Sequence, residues 1–101
     1  MPQILRTASA LQDLDEIWDY IAIENHQPDA ADRLIDEIDA ALQVLATHRQ
    51  MGEAVEHLRR ETRRFVVKKN YLLFYDIVGD GIRLLRVLHG ARLIGPEDLQ
   101  V

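Results

Sequence analysis

The stretch Tyr71-Leu-Leu-Phe-Tyr-Asp-Ile-Val-Gly-Asp-Gly-Ile-Arg-Leu-Leu-Arg-Val-Leu-His-Gly-Ala-Arg92 decides the fold. Two runs of aliphatic, aromatic and β-branched residues flank Asp80-Gly81, a pair that readily takes the positive φ values of a two-residue type I′ turn. One β-hairpin is the expected result. With Asp80-Gly81 as the loop, Gly79 lies opposite Ile82, and the pairs Ile77–Leu84, Tyr75–Arg86 and Leu73–Leu88 share one face. The other face pairs Asp76 with Leu85 and Phe74 with Val87. A three-residue loop over Gly79-Asp80-Gly81 would place Arg86 opposite Phe74 and bury an unpaired charge in an apolar layer, so the two-residue turn is preferred.

Arg63-Arg-Phe-Val-Val-Lys-Lys-Asn70 extends the sheet through a second tight turn at Lys69-Asn70, where asparagine tolerates the left-handed region. Phe65, Val67, Leu72, Phe74, Leu85 and Val87 then form one apolar face that needs a covering layer. Arg64, Val66, Lys68, Tyr71, Leu73, Tyr75, Leu84, Arg86 and Leu88 form the other, which mixes apolar, phenolic and cationic groups and reads as a partner-binding surface. In this register Arg64, Tyr75 and Arg86 make a row of cation, phenol and cation. Arg86→Ala is accordingly expected to weaken binding and leave stability almost unchanged, and Phe74→Ala to do the reverse.

The 101 residues are expected to form a single domain, 1–101, that buries roughly two thirds of its unfolded surface. There is no cysteine, which excludes disulfides and thiolate metal sites. No apolar run approaches the ~20 residues of a membrane span, and the N-terminus lacks signal-peptide character, so a cytoplasmic protein is expected. The net charge of -5 divides unevenly: residues 1–58 carry 12 acidic and 3 basic side chains, residues 59–101 carry 9 basic and 5 acidic. The basic sheet segment would face an acidic or anionic partner, while the acidic half disfavours nucleic acid.

Before the sheet, Gln3 to Arg6 reads as a short strand. Thr7 or Ser9 can cap a helix running to about Glu24, with Ala10, Leu14, Ile17, Trp18 and Ile21 as its apolar stripe. Asp13, Asp15, Glu16 and Asp19 flank that stripe and read as a solvated face. Pro28 suits the first position of a second helix whose stripe is Ala31, Leu34, Ile35, Ile38, Leu42 and Leu45. The short link makes the two an antiparallel hairpin, and truncating Trp18 or Leu42 to alanine should cost about 2–5 kcal/mol if they are buried. Residues 53–62 form a polar connection anchored by Leu58. The architecture is α+β, a short N-terminal strand and a helical hairpin packed on an antiparallel sheet with three C-terminal strands.

This order of elements, with Leu14-Asp15-Glu16-Ile17-Trp18-Asp19-Tyr20-Ile21 on the first helix, Phe74-Tyr75, and Arg86-Val-Leu-His-Gly-Ala-Arg92, resembles the ParE-like toxins of the RelE/ParE superfamily over essentially the whole chain. The resemblance implies a bacterial type II toxin–antitoxin module in which a ParD-type antitoxin holds the toxin. It also implies DNA gyrase as the target, with Arg92 joining the partner-binding residues. The RelE branch of the superfamily instead cleaves mRNA on the ribosome, and the two branches share a fold.

Ribonuclease chemistry needs a base for the 2′-hydroxyl, cations for the phosphorane charge and an acid for the leaving oxygen. Arg64, Lys68 and Arg86 could meet phosphate, Glu56 or Glu61 could be the base, and His89 or Tyr75 the acid. Arg86 and His89 are an odd number apart, however, and a regular strand sends them to opposite faces. Lys68-Lys69 can equally blunt a sheet edge. His26, His48 and His57 lack metal-ligand spacing, and no metal or cofactor is expected. The acidic total further disfavours binding a polyanion, so the gyrase-directed reading is preferred to the nuclease.

Overall fold

The computed structural model describes residues 2–90 and 92–101. Strand β1 (Ile4–Arg6) leads into helix α1 (Ala8–Asp19), which continues as a π-helical turn (Tyr20–Glu24) before helix α2 (Pro28–Thr47). Strands β2 (Glu53–Ala54), β3 (Thr62–Val67), β4 (Tyr71–Val78) and β5 (Gly81–His89) follow, then a 3₁₀ turn (Pro96–Leu99). The five strands form one sheet in the order β1-β5-β4-β3-β2. Strands β3, β4 and β5 are antiparallel as expected, and β1 adds to β5 in parallel, which makes the five-stranded sheet mixed.

Local chemistry starts the helices where the residues suggested. Thr7 caps α1, its Oγ1 accepting from the Ala10 N–H at 3.0 Å, and the same hydroxyl donates to the Leu85 carbonyl at 2.7 Å. Pro28 occupies the first turn of α2. Ala10 and Leu34, Ile38, Leu42 and Leu45 pack on the sheet in one core, with Leu14, Ile17 and Ile21 partly buried against it. Leu42 is fully buried, so Leu42→Ala should lower the urea-extrapolated stability by about 2–5 kcal/mol. Trp18 belongs to no core cluster. It is half-buried, and its indole N–H donates to Asp32 on α2 at 2.9 Å, so Trp18→Ala should cost less than Leu42→Ala.

Both strand registers differ from the expected ones. The β4–β5 loop is Gly79-Asp80, closed by the pair Val78–Gly81. Gly79 carries the left-handed φ of +54°, and glycine at the first loop position suits a type II′ turn. Gly81 serves a different need. A Cβ there would lie 1.8 Å from the Gln3 carbonyl oxygen, so its bare backbone admits the N-terminal segment, and the neighbouring Ile82 N–H donates to that same oxygen at 3.0 Å.

Farther along, Tyr75 pairs with Leu84 and Phe74 with Arg86, so the register shifts by one residue at a bulge that leaves Leu85 as the extra residue of β5. The β3–β4 turn is also one residue longer than expected. Val67 pairs with Tyr71, and Lys68 and Lys69 take the positive φ values assigned in advance to Asn70. Arg63 is therefore the residue opposite Tyr75, and Arg64 lies opposite Phe74.

The two faces change content as a result. Leu73, Tyr75 and Leu84, expected on the open face, are fully buried in the helix–sheet core with Val67 and Val87. Phe74 and Leu85, expected beneath the helices, form a second core with Val55, Leu88 and Leu99, flanked by Leu58, Leu72 and Ile94. The connection after β2 and the C-terminal segment thus supply a third layer, and neither sheet face is left bare.

Candidate functional site

Strand β1 covers β5 only as far as Leu84, opposite Arg6. Beyond that point β5 runs on to His89 with α1 beside it, and between them lies a groove of about 470 Å³. Ile17, Tyr20, Tyr71, Val87 and Leu88 make its apolar walls, and Glu16, Arg86, His89 and Arg92 its polar rim. Tyr20 is 57% exposed where the π-helical turn begins. The Tyr71 and His89 rings meet edge to face with centroids 5.4 Å apart.

At the base of the groove is Asp13, a buried carboxylate on α1. Arg86 grips it with two planar donors, Nε to Oδ2 at 2.6 Å and Nη2 to Oδ1 at 2.9 Å. The Val87 N–H, past the end of β1, donates to the same Oδ2 at 2.9 Å. Asp13 therefore stands in for a missing strand and neutralises Arg86. The carboxylate raises the Arg86 pKa above its ordinary value against the opposing effect of burial, which keeps the guanidinium charged. Arg86 Nη1 reaches the Asp98 carbonyl at 2.9 Å, and Arg92 pairs with the Asp98 carboxylate. The Tyr71 phenol is held above its usual pKa, first by burial and then by Tyr20.

Of the residues expected to meet a partner, Tyr71, Arg86, Leu88 and Arg92 line this groove, together with His89 from the nuclease candidates. The others are elsewhere. Arg64 pairs with Glu53 across β2–β3 at 2.8 Å, and Lys68 with Glu37 at 3.2 Å. Leu73, Tyr75 and Leu84 lie in the core. Tyr75 bridges backbone, donating to the Arg49 carbonyl at 2.8 Å and accepting from the Gly52 N–H at 2.9 Å. Burial raises its pKa, although Gly52 and Arg63 oppose the shift, so the phenol is poorly suited to giving up a proton near neutrality. Glu56 accepts the Glu61 N–H at 2.6 Å, and both line a separate pocket beside Thr62 and Arg63. The expected row of Arg64, Tyr75 and Arg86 is not formed, because the register shifts put Phe74 in place of Tyr75 between the two arginines.

Asp13, Glu16, Ile17 and Tyr20 complete the site and were not among the expected residues. Asp13 carried a usable signal. It lies three residues after Ala10 and four before Ile17, inside the buried stripe of α1, where a carboxylate requires a cationic or hydrogen-bonding partner.

Among the described residues, no helix is long and apolar enough to cross a membrane. Residues 4–94 match the family model described as ParE toxin of type II toxin-antitoxin system, parDE. Toxin ParE1 of Caulobacter vibrioides is 36% identical over 80 residues, which are 79% of this chain and 80% of that protein. Toxin RelE2 of the same organism is 32% identical over 93 residues, 92% of this chain and all of that protein. A solved structure of the chromosomal ParDE toxin–antitoxin system from P. aeruginosa superposes with a TM-score of 0.71 at 22% identity, covering 88% of this chain and 96% of the matched one, a likeness of fold.

Proposed function

The chain belongs to the ParE toxins of type II toxin–antitoxin systems, and from that premise we propose that it inhibits DNA gyrase in the cytoplasm and is neutralised by a ParD-type antitoxin. The observation that carries the choice of target is the dispersal of the nuclease candidates. Tyr75 is sealed in the core, Arg64 is paired at the β2–β3 edge, Arg86 is bound to Asp13, and Glu56 and Glu61 line another pocket. General acid–base cleavage needs these groups around one phosphate, and of the candidates only Arg86 and His89 share a groove, with both candidate bases in another pocket. The relative named RelE2 makes ribosome-dependent mRNA cleavage the reading to test against.

Producing the toxin without its antitoxin, and assaying plasmid supercoiling and mRNA integrity in the same cells, separates the two. The expected result is lost supercoiling with DNA breaks and intact mRNA. Intact supercoiling with cleaved mRNA reverses the assignment.

The groove between α1 and the end of β5 is the proposed antitoxin site. Its apolar walls suit aliphatic anchors, and Arg92, 48% exposed, suits a carboxylate. A disordered segment that folds onto such a surface loses conformational entropy but can cover a large area. Co-purification with the product of the neighbouring gene checks this pairing.

A further inference from the structure

The rim of the groove already holds a carboxylate, and it comes from the chain's own C-terminal segment. Asp98 is mostly enclosed, with 11% of its side chain exposed, and its two oxygens are divided between Arg92 and the Gly95 N–H, the latter at 3.0 Å. Its carbonyl takes Arg86 Nη1. Both cations that line the groove are therefore tied to one tail residue.

The tail itself hangs largely on Leu99, which is fully buried against Val55, Phe74, Leu85 and Leu88 on the outer sheet face. Around that anchor Leu93, Pro96, Glu97, Gln100 and Val101 are exposed. Arg92 lines the groove with nearly half its side chain open to solvent, while Asp98 of the tail holds its guanidinium. The guanidinium is thus reachable, but its strongest acceptor is already in place.

We propose that Asp98 is a tethered competitor for the antitoxin's carboxylate: a partner segment entering the groove takes Arg92 over from Asp98, and the C-terminal segment sets the affinity of the site. The proposal rests on the assignment of the groove to an antitoxin. Its physical basis is mass action, since a ligand for the vacated state binds more weakly by the factor that holds the tail in place. An ion pair with one partly exposed member adds only modestly to stability, so exchange between two carboxylates is energetically accessible.

The test is a double-mutant cycle on the full-length toxin, titrated with the purified antitoxin encoded beside its gene. Asp98→Asn should bind roughly two- to fivefold more tightly than the wild type, the range that corresponds to a weak ion pair. Arg92→Ala should bind more weakly, and adding Asp98→Asn to Arg92→Ala should give no gain. Leu99→Ala, which loosens the tail without touching a charge, should move affinity in the same direction as Asp98→Asn. Equal or weaker binding by Asp98→Asn, or the same gain with and without Arg92, overturns the exchange. A wild type that does not bind this antitoxin removes the groove assignment itself, and the exchange with it. Those failures are distinct, because the first leaves wild-type binding intact.

Discussion

Arg86→Ala should lower folding stability by about 3–5 kcal/mol, the usual cost of removing one partner of a buried ion pair. The Asp13 carboxylate has 8% of its side chain exposed and holds two guanidinium nitrogens and the Val87 N–H. Without the guanidinium, one backbone donor is left to a buried charge, and the protein must either bring in water or protonate the acid. Asp13→Ala should be damaging for the converse reason, with Arg86 and the Val87 N–H both losing their acceptor. A paired replacement, Asp13→Leu with Arg86→Met, should recover the part of the loss due to the unpaired charge, since apolar residues of similar volume often substitute for a buried pair without net cost, but not the part due to the Val87 N–H, which still lacks its acceptor. Chemical denaturation of the wild type and the three variants measures the two losses and the recovery. A loss below about 1 kcal/mol for Arg86→Ala would mean that the pair behaves as a solvated one. The direction of the Arg86 pKa shift adds a consequence. A folded-state value raised above that of the unfolded chain stabilises below the unfolded pKa and is lost only as pH rises through the folded one. Both lie in strong alkali, so the arginine itself contributes no pH dependence near neutrality.

This expectation reverses the one that the residues alone supported, and the reversal traces to a single missing partner. A register with Arg86 opposite Phe74 was set aside because it would bury an unpaired charge. The structure adopts that pairing because Asp13, 73 positions earlier, supplies the counter-charge. The acidic neighbours of Asp13 suggest a solvated face, whereas its spacing from Ala10 and Ile17 puts it in the buried stripe. Asp13 and Arg86 are each out of place alone and satisfied only as a pair.

What depends on local chemistry was legible: a cap at Thr7 or Ser9, of which Thr7 is the one used, Pro28 at the start of α2, the apolar stripes of both helices, and the existence and order of β1, β3, β4 and β5. What depends on distant contact was not. Gly79 and Gly81 both suit a turn, and only the approach of Gln3 to Gly81 shows which of them serves as strand backbone. The bulge at Leu85 puts residues three apart on one face, Leu84 with Val87 in one core and Leu85 with Leu88 in the other, and an alternation rule has no means of placing it. The site was half visible for the same reason. Its β5 wall was named through Arg86, Leu88 and Arg92, whereas the α1 wall follows from the docking of the helix along β5.

Phe74→Ala should cost about 3–5 kcal/mol, by loss of transferred area and creation of a cavity. Lost stability is also the sequence-based expectation, but the mechanism differs, because Phe74 faces away from the helices. It is fully buried in the outer core with Val55, Leu85, Leu88 and Leu99. The damage should therefore spread in a definite direction. Leu99 loses part of its seat, the Asp98 contacts with Arg86 and Arg92 weaken with it, and the C-terminal segment should open before the rest of the chain unfolds. Limited trypsin digestion under native conditions should cut Phe74→Ala after Arg92 much faster than Leu42→Ala, even where the two variants have equal global stability. The Leu42 cavity lies in the helix–sheet core, which does not include Leu99. Phe74 does not line the groove, so antitoxin binding by the folded fraction of Phe74→Ala should be no weaker than that of the wild type. Equal cleavage of the two variants after Arg92 would show that the outer core does not hold the tail. Weakened binding by folded Phe74→Ala would show that an intact tail contributes to the antitoxin surface instead of competing for it.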